Sequence, residues 1–250
     1  MSLLDQIAPS PHKIMTLFYL VDTSGSMEGE KLGSVNAAME ETIALDLPDI
    51  SAANDDAEIR VAILRFSSGC EWITPETGPV AAGEMDWRDL EPGGLTDLGA
   101  ALRELDDKLS RSSFLHSQTG AYAPVILLFS DGAPTDNWKK ALNALKENNW
   151  YRFAVKIAVA IGEDADREVL EAFTGDPGSV VTVHDRQALK TLIRKVSVRA
   201  SEFQSHSKHS GSTLSTPEED AADIVGAVVR EMEAAAEDGG GLRAGPAGVL

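Results

Sequence analysis

The chain has 250 residues and a single cysteine, Cys70, so it cannot form an intrachain disulfide and its fold must rest on buried apolar surface rather than on staples. Basic residues are also scarce. With 22 Lys and Arg against 40 Asp and Glu, the formal net charge is −18, which argues against partners held by phosphate neutralisation, both nucleic acid and anionic membrane surfaces. Long apolar runs are missing: the longest, 14–21 and 124–129, fall far short of the roughly 20 residues that span a bilayer. The first 13 residues lack the basic and apolar regions of a signal peptide. A soluble cytoplasmic protein is therefore expected. Three chemical signatures are absent too: a Gly-x-Gly-x-x-Gly dinucleotide loop, a Walker A lysine loop and a Gly-x-Ser-x-Gly nucleophile elbow. No solenoid repeat is seen.

What is present is an ordinary globular balance, 43 % hydrophobic and 25 % charged, arranged as alternating strand and helix patterns. Segments 14–21, 59–66, 125–129, 153–161 and 180–183 read as strands, most of them apolar throughout, as expected for strands covered on both faces. Between them, Leu32, Val35, Met39, Ile43 and Leu45 fall at helical spacing. So do Leu98, Ala101, Leu102, Leu105 and Leu109, then Ala141, Leu142 and Leu145, and finally Leu189, Leu192, Ile193 and Val196. The alternation predicts an α/β fold, a doubly wound and mostly parallel sheet. Thr74, Pro75, Gly78 and Pro79 in the segment 70–80 add a turn and one short antiparallel edge strand.

Composition divides the chain further. After a lead at 1–12, the main domain is expected at 13–200. The segment 201–216 has six serines and reads as a flexible linker. Thr216, Pro217 and Glu219 carry the signature of a capping box, opening an amphipathic helix over 217–238 with Ala221, Ile224, Val225, Val228, Met232 and Ala235 on one stripe. That stripe suits docking on the parent domain, on a second copy or on a partner. The Gly, Ala and Pro tail at 239–250 is expected to be disordered.

Three segments carry chemistry. The first strand ends in Asp22-Thr23-Ser24-Gly25-Ser26, at the carboxyl end of a buried strand where open α/β sheets place ligands. Asp22, Ser24 and Ser26 are hard oxygen donors short enough to converge on one small cation, with Mg²⁺ the best fit. Residues of these types also serve as turn and cap residues, so the run alone leaves both readings open. Next, Gly93-Gly94-Leu95-Thr96-Asp97 sets a hydroxyl in a glycine loop before a helix. Ser130-Asp131-Gly132 then closes the strand 125–129 with an acid. At the switch point of a doubly wound sheet the first strand and this one are neighbours, which would bring Asp22 and Asp131 together. Two close buried carboxylates raise each other's pKa, and a cation relieves that conflict.

In this order and context, Asp22-x-Ser24-x-Ser26, Thr96 and Asp131 resemble the metal-ion-dependent adhesion site of von Willebrand factor A domains, relatives of integrin I domains, over about residues 13–200. The resemblance implies that Ser24, Ser26 and, in the ligand-competent state, Thr96 coordinate Mg²⁺, Mn²⁺ or Ca²⁺, while Asp22 and Asp131 act mostly through waters and hydroxyls. It implies metal-dependent protein binding, in which an open coordination position takes an acidic group from a protein partner. The segment from Phe18 to Gly29 also resembles the intracellular tellurite-resistance type, associated with a kinase and a phosphatase in bacterial stress-response modules.

Two other functions compete. A haloacid dehalogenase-type phosphotransferase would need a second acid two residues after Asp22, where Ser24 stands, so no enzyme activity is expected. An assembly subunit of an AAA+ machine remains compatible with the same domain. Several conspicuous residues read as structural. Asp97 suits a helix N-terminus and Asp136 the cap of the helix containing Trp138. His206 and His209 lack companions at metal-site spacing, and Cys70 has no basic neighbour to activate it.

Overall fold

A run of apolar residues builds the first and central strand, β1 (Lys13–Asp22), and every side chain from Met15 onward is buried. The computed structural model describes residues 12–54, 57–118, 120–183, 187–196 and 216–239. The lead at 1–11, most of the serine-rich segment and the tail from 240 onward lie outside the described residues. Around β1 the sheet continues with β2 (Ala57–Ser67), β3 (Gly69–Trp72), β4 (Val80–Ala81), β5 (Val125–Ser130), β6 (Val155–Ile161) and β7 (Val180–Val183). The order is β3-β2-β1-β5-β6-β7, with β4 also on β2. All neighbours pair in parallel except β3 and β4. The antiparallel edge thus comes in two pieces, because the Pro75–Gly78 turn interrupts it.

Alternation along β1 separates two cores. Met15, Leu17, Tyr19 and Val21 face one layer, and Phe18 and Leu20 the other. The first layer holds α1 (Glu30–Glu41), α2 (Leu47–Ala53), α7 (187–196) and α8 (Pro217–Gly239). The second holds α3 (Leu98–Lys108), α4 (Trp138–Leu145), the short α5 (Asn149–Arg152) and α6 (Arg167–Thr174). Helices therefore cover both faces, and the strands are apolar on both sides for that reason.

Two details depart from simple periodicity. Residues Thr42–Asp46 form a π-helical turn between α1 and α2, and the extra residue per turn rotates the stripe. Leu45, expected on the apolar face, is 59 % exposed as a result, and Leu47 fills the core instead. Phe153, expected to open a strand, sits just after α5 and is exposed; β6 begins at Val155.

The last helix packs on the domain's own sheet. Ala221, Ile224, Val225 and Val228 are buried in the first core layer, where α8 lies against β6. Full burial of an Ile or Val side chain contributes about 1.5–3 kcal/mol. Thr216 and Glu219 form the reciprocal capping box, with backbone N–H to side chain distances of 3.2 and 2.8 Å. Lys156 Nζ of β6 donates to Glu218 at 3.0 Å, and Lys195 on α7 pairs with Glu231. Among the described residues no helix is long and apolar enough to cross a membrane.

Candidate metal centre

The parallel register sets Val21 beside Phe129, so the chain leaves β1 and β5 at the same edge of the sheet. Asp22, the last residue of β1, is fully buried. Its Oδ1 accepts from the Ser24 backbone N–H at 2.8 Å and its Oδ2 from the Ser130 hydroxyl at 2.5 Å. Burial pushes the Asp22 carboxyl above its usual range, and these hydrogen bonds only partly offset it, with Asp131 adding to the rise. All the donors are neutral. Ordinarily a buried carboxylate is matched by a cation, yet among the described residues no basic side chain pairs with Asp22.

From Asp22 a chain of hydroxyls leads to the second acid. Ser24 Oγ lies 3.1 Å from Ser26 Oγ, and Ser26 Oγ donates to Asp131 Oδ1 at 2.8 Å. Four of the five residues expected at the site are therefore linked directly. Thr96 arrives differently: it shares no hydrogen bond with the other four, but its loop is fastened on three sides. Gly93 N–H donates to Thr23 O at 2.8 Å and Gly25 N–H to Gly94 O at 3.2 Å, tying the glycine pair to the Ser24–Ser26 turn. On the second side, Asp97 N–H donates to Ser67 O at 2.8 Å and Asp97 Oδ2 accepts from Gly69 N–H at 2.9 Å. On the third, Thr96 N–H reaches Thr135 Oγ1 at 3.2 Å, and Thr135 N–H returns to Thr96 O at 2.9 Å. Gly94 is required here, since its φ is +83 and a Cβ would stand 2.6 Å from Ser68 Oγ.

One role differs from expectation. Asp136 does not cap its own helix: its carboxylate accepts from Gly99 and Ala100 N–H at 2.9 and 3.0 Å, capping α3, while Asn137 caps α4. Asp97 stands at the N-terminus of α3 as expected, with no side-chain bond to the helix, and its carboxylate also anchors the turn at Gly69. Cys70 has its thiol pKa raised by burial, with Glu104 adding to the rise, so it is unsuited to thiolate chemistry.

Three participants were not singled out from sequence. Ser130 bridges Asp22 and the Gly132 N–H, the latter at 2.8 Å. Lys31 Nζ donates to Asp131 Oδ2 at 2.9 Å, and Asp164 holds the same ammonium at 2.9 Å. Burial opposes the Lys31 charge, but the two carboxylates outweigh it and raise its pKa. Asp164, bonded to Lys31, is held below the usual carboxylate range. A hydroxyl next to Asp131 and a lysine in the first turn after the Ser26 loop were the available signals.

The donor set tests whether a metal fits. Two carboxylates and three hydroxyls supply oxygen only, which matches hard divalent cations. Among the described residues no group of three or more His, Cys, Asp or Glu side chains is placed to hold an ion, so a metal held at this end of the sheet relies on hydroxyls.

A doubly wound sheet with an oxygen-lined cluster at the carboxyl ends of its two central strands defines a class of ligand-binding α/β domain. The model of the von Willebrand factor type A domain matches residues 17–195, and the chain belongs to that family. No curated protein matches it. Among solved structures, it is similar to the open conformation of the pilus adhesin SpaC from Lactobacillus rhamnosus GG (TM-score 0.57, 13 % identity, 76 % of this chain and 30 % of that one). It is also similar to a von Willebrand factor type A protein from Catenulispora acidiphila (TM-score 0.53, 16 % identity, 76 % and 43 %). A third is proximal thread matrix protein 1 from the mussel byssus, with its MIDAS motif occupied by zinc (TM-score 0.52, 18 % identity, 75 % and 48 %). At these identities the likeness is one of fold, and the chain spans less than half the length of each.

Proposed function

We propose that this chain is a metal-dependent protein-binding module in which Asp22, Ser24, Ser26, Thr96 and Asp131 hold a divalent cation that receives an acidic group from a protein partner. The observation that carries this reading is the buried Asp22 carboxylate, surrounded by neutral donors and joined through Ser24 and Ser26 to Asp131. The ion, when bound, supplies a Lewis-acidic contact for the partner's carboxylate. The chain's own residues do the rest. Ser24, Ser26 and Thr96 offer uncharged oxygens, which leave more positive charge facing solvent than carboxylates would. Ser130 and the Ser24 N–H hold Asp22 in place, and the Gly93–Asp97 loop is fixed by its three sets of backbone bonds. Contact with an ion also explains how a chain of net charge −18 binds an acid: surface charges beyond about 8 Å are largely screened at physiological salt.

Mg²⁺ is the proposed ion, with Mn²⁺ and Ca²⁺ compatible with the same oxygens; zinc, found in the mussel relative, prefers nitrogen and sulfur donors. The protein acts in the cytoplasm by binding rather than catalysis, since Ser24 stands where phosphotransfer would need a second carboxylate. Likeness of the segment 18–29 to the tellurite-resistance type supports a place in a bacterial stress-response module with a kinase and a phosphatase. A pull-down from the native cell tests the binding reading: partners are expected with Mg²⁺ present and lost with EDTA or in Asp22→Ala. Capture that is indifferent to both would refute it.

A further inference from the structure

We propose that Lys31 is the built-in counter-charge of the metal centre, neutralising Asp131 and thereby limiting how tightly the site holds a cation; this rests on the metal-binding reading above. The geometry divides Asp131 between two functions. Its Oδ1 faces the hydroxyl chain through Ser26, while its Oδ2 is taken by the Lys31 ammonium at 2.9 Å. The Asp131 side chain is 4 % exposed and that of Lys31 23 %, so this contact is partly sheltered from solvent screening. Asp164, on the loop after β6, holds the ammonium from the outside at 2.9 Å.

The fold keeps a lane open for this side chain. Gly162, the residue after β6, has φ +91, and a Cβ there would meet Asp164 Oδ1 at 2.7 Å and Lys31 Cε at 2.9 Å. That left-handed φ favours glycine at 162, and the missing side chain leaves the Lys31–Asp164 pair its space.

The consequence follows from charge counting. Asp22 and Asp131 alone give the centre a formal charge of about −2, which a divalent cation would cancel; Lys31 makes that about −1, and about +1 with the ion bound, while the exposed Asp164 on the outer side of the ammonium offsets part of its charge. An ammonium cannot coordinate the ion and repels it. The same positive charge favours an incoming carboxylate. Lys31 therefore shifts binding energy from the ion to the acidic group of the partner, and it spares the metal-free protein the repulsion between Asp22 and Asp131.

Calorimetric titration of the full chain with Mn²⁺ tests this, using wild type, Lys31→Met, Lys31→Gln and Lys31→Arg. Lys31→Met is expected to bind Mn²⁺ about tenfold more tightly, as estimated for one unit charge several ångströms from a divalent ion in a partly screened site, and to melt lower than wild type without metal. Lys31→Gln, which keeps a hydrogen-bond donor without the charge, is expected to follow Lys31→Met, and Lys31→Arg to stay near wild type. Wild type binding Mn²⁺ with Lys31→Met equal or weaker would overturn the role of Lys31 and leave the metal reading standing. A Lys31→Gln variant that behaves as wild type would likewise overturn it, since only the hydrogen bond would then matter. Absence of Mn²⁺ uptake by wild type and every variant overturns the metal reading and this inference together.

Discussion

Asp22 and Lys156 are both buried ionisable residues on parallel strands of one sheet, and they are answered in opposite ways. Lys156, near the start of β6, has its pKa lowered chiefly by burial, with Glu218 countering. Its ammonium reaches Tyr151 O, Ala154 O and the Glu218 carboxylate at 3.3, 3.1 and 3.0 Å. Asp22, at the far end of β1, has its pKa raised chiefly by burial, and its partners are a backbone amide and a serine hydroxyl. One charge is closed by a residue the chain itself brings in on α8. The other is left to neutral dipoles, which hold a carboxylate in position without cancelling its charge. Closure makes the Lys156 end a latch for α8, whereas the unmatched Asp22 carboxylate is what the proposed metal site rests on.

Substitutions at either end should stay at that end. The largest loss of stability is expected at α8: Ile224→Ala removes a buried side chain and should cost about 3 kcal/mol in urea unfolding, with the Mn²⁺-induced rise in melting temperature unchanged. No loss would show that α8 does not pack on the sheet in solution. Next, Asp22→Asn should abolish the metal response, which in wild type amounts to about 2.7 kcal/mol with the ion at 100 times its Kd; thermal melts with and without Mn²⁺ measure it. A full response in Asp22→Asn would erase the contrast between the two ends.

Glu218→Gln should destabilise by about 2 kcal/mol near neutral pH, because it strands a buried ammonium. Lys156 has a folded pKa below 10.5. Between that folded value and 10.5 the unfolded chain holds a proton that the folded chain does not, so this group's contribution to stability rises with pH there. Loss of Glu218 extends that window downward, so the deficit against wild type is expected to shrink as pH approaches 10, as read from urea midpoints across pH 7–10. A constant deficit would mean that Glu218 acts by packing. The smallest effect is that of Asp136→Ala, about 1 kcal/mol from the lost cap of α3, with the metal response weakened only through the Thr96 loop.

Much of this contrast was legible in the sequence, and the limits have physical causes. Apolar strands buried on both faces announce themselves by composition, so β1, β2, β5, β6 and β7 were anticipated to within about two residues. The Thr216–Glu219 capping box could be read because its two bonds are local. Leu45 misled because a π-helical turn changes the phase of a stripe without changing its residues. Asp136 misled because a cap can be supplied from a distant loop, and position 136 looks like a local cap for α4. The roles of Ser130 and Lys31 depend on contacts 108 and 100 residues away in sequence, which no local pattern encodes. Lys156 was hidden for a related reason: a lysine within an apolar strand shows nothing of its partner on a helix 62 residues later.

Anomalous diffraction from crystals grown with Mn²⁺ would show whether the carboxyl end of β1 and β5 is a cation site built on hydroxyls. A single strong manganese peak is expected in contact with the Ser24 and Ser26 hydroxyls and beside Asp22 and Asp131. A protein that takes up Mn²⁺ only elsewhere, such as at Asp164 and the exposed acids around it, or shows no peak with the ion at tens of millimolar, would contradict it.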